Sequence, residues 1–287
     1  MISAMQDTSP TLRKRRLGRT LRAMRDAAGV SREQVAEELD CSPWKIGRIE
    51  TGHTGCRRGD LLTMLDLYNV TDEERRSELV QLARESRTRR KAPYVDLPDP
   101  LPTLIELELD ASSIRWYEPT LIPGLLQTED YARAVLRAWR PAYKPDEVEQ
   151  LLKVRMERQQ VLESESPPEL WTIIDEAALR RVVGGSAVMR EQCQHLLRIA
   201  EERLAEIQVL PFDAGAHTSM TGMFQMLRFA GSDDPDVVYL EGFSGAVFLD
   251  GAEAVARVSL IFDHLLGQAL SPERSADTIR AAATSLA

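Results

Sequence analysis

Trp44, Lys45 and Arg48 stand within five residues of one another in the stretch SPWKIGRIE, residues 42–50. On a helix that spacing turns an indole, an ammonium and a guanidinium outward together. Such a group offers hydrogen bonds and apolar contact to base edges, and charge to phosphates. Arg48 suits a bidentate contact with guanine, and Trp44 an apolar one, although burial against a neighbour suits Trp44 equally well. Pro43 and Gly47 also face outward but have no side-chain hydrogen bond to give, so base reading would lean on Arg48. A basic arm, Arg13, Lys14, Arg15 and Arg16, adds phosphate affinity that is independent of sequence.

The local sequence explains how these residues would be held. Ser31 reads as an N-cap, with Gln34 completing a capping box and Val30 and Val35 at the staple positions. Val35, Ala36 and Leu39 face inward, and the small Ala36 permits two helices to cross closely. Asp40 sits where a tight turn needs a left-handed residue. Ser42 caps a second helix that begins at Pro43, turns Ile46 and Ile49 inward, and ends at Gly52. Neither helix is long enough to stand alone. The second is presented so that its first two turns can enter a major groove. Leu17, Leu21, Met24 and Ala28 mark a preceding helix. Leu61, Leu62, Leu65 and Tyr68 mark a fourth, and Thr71 with Glu74 reads as a capping box opening a fifth.

The net charge of −9 over 287 residues argues against a polyanionic partner until its distribution is considered. Residues 1–91 carry five more basic than acidic side chains, and the remainder fourteen more acidic than basic. A basic head on an acidic body fits nucleic-acid binding through the head. The two parts are divided at APYVDLPDPLP, residues 92–102, where proline density reads as a linker. The expected organisation is a head over 1–91, the linker over 92–102 and a body over 103–287. With no secretory leader, no apolar run of membrane length and three scattered cysteines, Cys41, Cys56 and Cys193, the expected location is the cytoplasm.

From Arg16 to Tyr68 the sequence resembles the XRE/Cro-repressor-type helix-turn-helix family. The resemblance rests on both caps, Ala36, the inward Ile46 and Ile49, and the closing IETG. It implies five helices and dimeric binding to a two-fold double-stranded operator. By position it implies base contacts from Pro43, Trp44 and Arg48. Ser42 and Lys45 would lie near base edge or backbone, and Arg32 near a phosphate. Arg25 and Glu50 match an ion pair joining the first and third helices.

The body mixes patterns. ELELDASSIRWYEP passes from helix into strand, and TEDYARAVLRAW and PDEVEQLLKVRMERQQVL are helical. ELWTIID, IQVLPF, MFQMLRF, VVYLEG and AVFLD read as strands, with a long helix near 186–204 and two more at the C-terminus. An α+β domain with a mainly antiparallel sheet is expected. Catalytic and metal signals are weak, and neither a catalytic residue nor a cofactor is expected. GFSGA, residues 242–246, departs from the GxSxG elbow in its second glycine and precedes a strand-like run, so a hairpin turn is the better reading. His53, His195, His217 and His264 lack metal spacing. His217, in a polar loop, reads more readily as a loop hydrogen bond than as a ligand contact. Gly184–Gly185 reads as a helix stop. PGLLQTEDYA reads as a packed corner, with a ligand lip as the rival. Arg155, Arg158 and Gln159 with Asp175 and Glu176 would form one internal polar network, or else an anion or partner site.

The blocks EPTLIPGLLQTEDYARAVL, VRMERQQVL, IIDEAALRRVVGGSAVMREQ and IQVLPFDAGAHTSMTGMFQML resemble the C-terminal domain of WhiJ-like, antitoxin-like transcriptional regulators of actinobacteria. That resemblance covers nearly all of residues 100–285. It implies a repressor controlled by a partner, often a small protein encoded nearby. The expectation for the whole chain is a homodimeric repressor, nucleoid-bound when on DNA, whose body receives a small protein or a small molecule. The alternative is an antitoxin-like neutraliser of a small partner protein that regulates itself through its head.

Overall fold

The computed structural model describes residues 12–52, 54–87, 101–139, 144–230, 235–242 and 245–286. Most of the proline-rich stretch, residues 92–100, lies outside them, as do His53, residues 88–91, and Phe243 and Ser244 of GFSGA. The chain divides into two compact units, the first running to Asp110 and the second beginning at Ala111.

The first unit is helical: α1 (Leu12–Ala27), α2 (Arg32–Glu38), α3 (Pro43–Glu50), α4 (Arg58–Leu67), α5 (Glu73–Arg87) and α6 (Leu101–Asp110). The five helices expected of the head are α1 to α5. Their apolar stripes meet in one core of Leu17, Leu21, Val35, Ile46, Ile49, Leu61, Met64, Leu65 and Leu79. Arg13 to Arg16 are not a free arm but the first turns of α1. Thr71 does not cap α5; Asp72 does, its Oδ1 accepting the backbone N–H groups of Glu74 and Arg75 at 3.0 and 3.3 Å. A carboxylate is the better acceptor there, and its charge also favours a helix N-terminus.

The second unit is α+β. Its elements are β1 (Ser113–Glu118), α7 (Glu129–Trp139), α8 (Pro145–Gln159), β2 (Glu169–Asp175), α9 (Glu176–Arg180), α10 (Ser186–Glu201), β3 (Glu206–Leu210), β4 (Phe224–Arg228), β5 (Val237–Gly242), β6 (Gly245–Leu249), α11 (Ala252–Gln268) and α12 (Pro272–Thr284). The six strands form one sheet in the order β3-β2-β1-β4-β5-β6. Three joints are antiparallel, but β1–β2 and β2–β3 are parallel, so the sheet is mixed. Parallel neighbours need long crossovers. The chain supplies them through α7 and α8 between β1 and β2, and through α9 and α10 between β2 and β3. The β5–β6 register closes at Gly242 opposite Gly245, and a strand follows GFSGA as expected.

Alternation along β1 sends Tyr117 to one face of the sheet and Trp116 to the other. The Tyr117 face packs with Ile173, Phe224, Met226 and Val238 against Phe262 and Leu265 of α11. Gly184 and Gly185 do not stop a helix. Both have positive φ and lead into α10, with Gly185 at its N-cap.

One glycine fixes the packing of the first unit. A Cβ on Gly18 would stand 2.4 Å from the Ile49 carbonyl oxygen and 2.5 Å from that of Glu50, so α1 meets the last turn of α3 backbone to backbone. Gly18→Ala is expected to lower stability by about 1–3 kcal/mol, the range for overpacking a filled core. Gly59→Ala, in open space on α4, is expected to raise it by about 0.5–1 kcal/mol. Urea denaturation of the two variants checks the contrast.

Candidate nucleic-acid interface

Each helix of the α2–turn–α3 pair begins with a formed cap. Ser31 Oγ accepts the Gln34 N–H at 3.2 Å, and Gln34 Oε1 returns a bond to the Ser31 N–H at 2.8 Å. Val35 is buried, with Val30 packed against the same core. Asp40 takes φ 47° in the turn. Ser42 Oγ accepts the Lys45 N–H at 3.3 Å, and Pro43 opens α3. Gly52 has φ 79° just past the helix end.

The anchor of α3 is Glu50, 2% exposed. It accepts from Arg25 Nε at 2.5 Å and Nη2 at 3.3 Å, and from Arg32 Nε at 2.8 Å. Arg25 thus ties α1 to α3 and holds its own charge more firmly, chiefly through the Glu50 hydrogen bond. The expected ion pair is present, and Arg32 has joined it. The resemblance set Arg32 beside a phosphate; in the structure its guanidinium is drawn onto Glu50, with its side chain 39% exposed.

With Ile46 and Ile49 buried, α3 turns its other side outward. Trp44 is 64% exposed. The Arg48 guanidinium carbon lies 4.9 Å from the Trp44 ring centroid, and Arg48 Nε donates to Thr54 Oγ1 at 3.1 Å. The guanidinium is therefore ordered on the outer surface before any partner arrives. Lys45 is turned aside, its ammonium 3.1 Å from Asp60 Oδ2. Of the basic run, Arg16 is exposed, Arg13 and Lys14 are half-buried, and Arg15 is 3% exposed. Arg15 belongs to the close approach of α1 to Gly52, where a Cβ would stand 2.9 Å from the Arg15 backbone nitrogen. Arg15 is thus an interior residue and not the surface phosphate contact that the basic run suggests. Thr54, Asp60 and Gly18 are positioning residues that the motif alone did not single out. Gly18 carried a signal, because glycine inside a helix marks a close contact.

In the second unit the single polar network expected of Arg155, Arg158, Gln159, Asp175 and Glu176 is two clusters on opposite sheet faces. On one, Tyr117 OH lies 3.5 Å from Asp175 Oδ2 and 3.4 Å from His217 Nε2, and Glu176 accepts from Arg180 and the Phe212 N–H. His217 Nδ1 accepts the Ser219 N–H at 3.3 Å, the loop hydrogen bond expected of it. On the other, Arg155 donates to Gln127 Oε1 at 2.8 Å, and Gln159 donates to the carbonyls of Gly124 and Gln127. The Arg158 guanidinium lies 5.8 Å from the Trp116 ring centroid. Pro123 and Gly124 form a tight turn, and Thr128 Oγ1 accepts the Tyr131 N–H at the start of α7. Among the described residues no group of three His, Cys, Asp or Glu side chains is placed to hold a metal, and no helix is long and apolar enough to cross a membrane.

A capped short helix, buttressed from behind by a buried carboxylate and presenting an aromatic–guanidinium pair, defines a helix-turn-helix DNA-binding protein. Residues 16–79 match the family described as helix-turn-helix domain. Residues 101–281 match the domain of unknown function DUF5753, and the chain belongs to that family. No curated protein and no solved structure matches it.

Two measurements check this geometry. Glu50→Ala leaves two guanidiniums facing a void and is expected to cost about 3–5 kcal/mol in urea unfolding, the range for breaking a buried ion pair. In the second unit, burial pushes the Glu118 carboxyl up to about 7, against opposing hydrogen bonds from the Thr120 and Leu121 backbone. The folded state therefore holds a proton that the unfolded state releases at lower pH. Stability from this group falls as pH rises from about 4.5 to about 7 and is level above that. Glu118→Gln is expected to flatten the fall in a pH series of urea midpoints.

Proposed function

We propose that the chain is a sequence-specific transcriptional repressor of the XRE type, working as a homodimer on a two-fold operator. The observation that carries this is the exposed Trp44–Arg48 pair on α3, ordered by Thr54 and backed by Glu50. Such preorganisation lowers the entropy lost on docking. Arg48 would bond a guanine in the major groove, and Trp44 would make apolar contact beside it. Ser42 and Pro43, at the leading end of α3, would lie against base edge or backbone. Arg16, with Arg13 and Lys14, would serve phosphates, as would Lys45 once it exchanges Asp60 for a phosphate.

The second unit would carry self-association and reception of a signal, in the manner of WhiJ-like actinobacterial regulators. It would act by binding rather than turnover, in the cytoplasm and on the nucleoid when the operator is occupied. Its sheet edges support the first part. The β3 edge is satisfied by Leu270, whose N–H bonds the Val209 carbonyl, and by Ser275 Oγ, which accepts the Val209 N–H. The β6 edge carries no charged side chain, and its Val247 is 53% exposed. An edge so unguarded favours strand pairing. The signal would be a small protein or a small molecule with different affinity for the DNA-competent and incompetent states.

Fluorescence anisotropy with a selected operator duplex tests the base-reading role. Arg48→Ala is expected to weaken the operator by about 1–3 kcal/mol and to relax preference at one base pair per half-site. Equal weakening on operator and unrelated duplex would contradict the role given to Arg48.

A further inference from the structure

Arg32 and Lys45 stand in the first turns of α2 and α3, and each is bonded to a carboxylate of the first unit. The two carboxylates differ. Glu50 is buried and shared with Arg25, so it belongs to the core. Asp60 is nearer the surface: its side chain is 23% exposed and that of Lys45 37%. Lys45 Nζ donates to Asp60 Oδ2 at 3.1 Å. Among the described residues Lys45 is the one ion-pair partner of Asp60, although Arg57 and Arg58 stand exposed just before it in sequence.

Both members of the pair have local reasons for their places. Asp60 lies in the first turn of α4, whose N-cap Arg57 supplies no side-chain bond, and a carboxylate there meets the positive end of the helix. Lys45 lies in the first turn of α3, which has no acidic residue of its own, so its charge opposes the same kind of field. Asp60 relieves that opposition. A pair this exposed is held weakly. It can therefore be exchanged, whereas the Glu50 network cannot without opening the core.

The competing partner for Lys45 is a DNA phosphate, because Lys45 sits on the helix that presents Trp44 and Arg48. One ammonium does not serve both anions at full strength. Docking must first break the bond to Asp60, and it must do so on any duplex, whatever the bases.

We propose that Asp60 is an internal stand-in for phosphate, which occupies Lys45 in the free protein and so limits the sequence-independent affinity of α3 for DNA. Asp60 acts through Lys45 and is a positioning residue, not itself a DNA contact. The inference rests on the DNA-binding reading and adds to it the residue that regulates its strength. With the phosphate term held down, discrimination is left to Arg48.

The experiment is fluorescence anisotropy of the full chain on the selected operator and on an unrelated duplex, between about 50 and about 200 mM sodium chloride. Asp60→Asn is expected to tighten both duplexes by the same factor, about three- to tenfold at the low-salt end, and to steepen the salt slope by about 1. Asp60→Glu keeps the charge and is expected to bind as wild type does. In a Lys45→Ala background, Asp60→Asn is expected to lose most of its gain. Asp60→Ser, which also lacks the charge, serves as the second variant if Asn unsettles the start of α4. The proposal is overturned if Asp60→Asn and Asp60→Ser bind no more tightly than wild type, if the gain is as large in the Lys45→Ala background, or if it is confined to the operator. A wild-type chain that binds neither duplex would overturn the DNA-binding reading, and this inference with it.

Discussion

The first unit depends on one buried carboxylate. Glu50 sits at the end of α3 and collects Arg25 from α1 and Arg32 from α2, so three helices share a single charge. A buried ion pair is weak evidence for stability as such, because desolvation offsets much of the attraction. Its consequence here is geometric. The network fixes how α3 leaves the core, and Gly18 brings the α1 backbone against the same turn with no side chain between. Trp44 and Arg48 on the opposite side are held by helices that cannot shift independently.

In the second unit the constraint is alternation along a strand. Trp116 and Tyr117 are adjacent in β1 and must point to opposite faces, so the polar residues around them separate. The Tyr117 face encloses His217 and Asp175 within a core closed by α11. The Trp116 face gathers Gln127, Arg155 and Arg158, with Arg155 bonded to the Gln127 amide and Arg158 against the Trp116 ring.

Much of the first unit was legible in the sequence because caps and turns are local chemistry. Ser31 with Gln34, Asp40 in the left-handed region, Ser42 before Pro43 and Gly52 past the helix end are all decided within a few residues. The Arg25–Glu50 pair was legible only through family resemblance, since no local rule joins residues 25 apart. Where local rules offered two candidates the reading slipped by one, as with Thr71 against Asp72. Side-chain competition was not legible at all: nothing near Lys45 announces Asp60, and nothing near Arg32 announces that it would share Glu50. In the second unit, strand positions followed from composition, but the parallel joints did not, because they depend on which strands a crossover brings together. The split of Arg155 from Asp175 has the same origin, since face assignment needs the register.

The central claim is that α3 reads duplex DNA from the major groove with Arg48 on a guanine. The most direct test selects duplexes from a random pool with the wild-type chain, then replaces single guanines of the enriched site by 7-deazaguanine, which deletes the major-groove N7 acceptor. The account predicts a two-fold symmetric site and a loss of about 1–3 kcal/mol at one guanine per half-site. A pool that yields no enriched sequence, or an enriched site indifferent to every 7-deazaguanine, would contradict it.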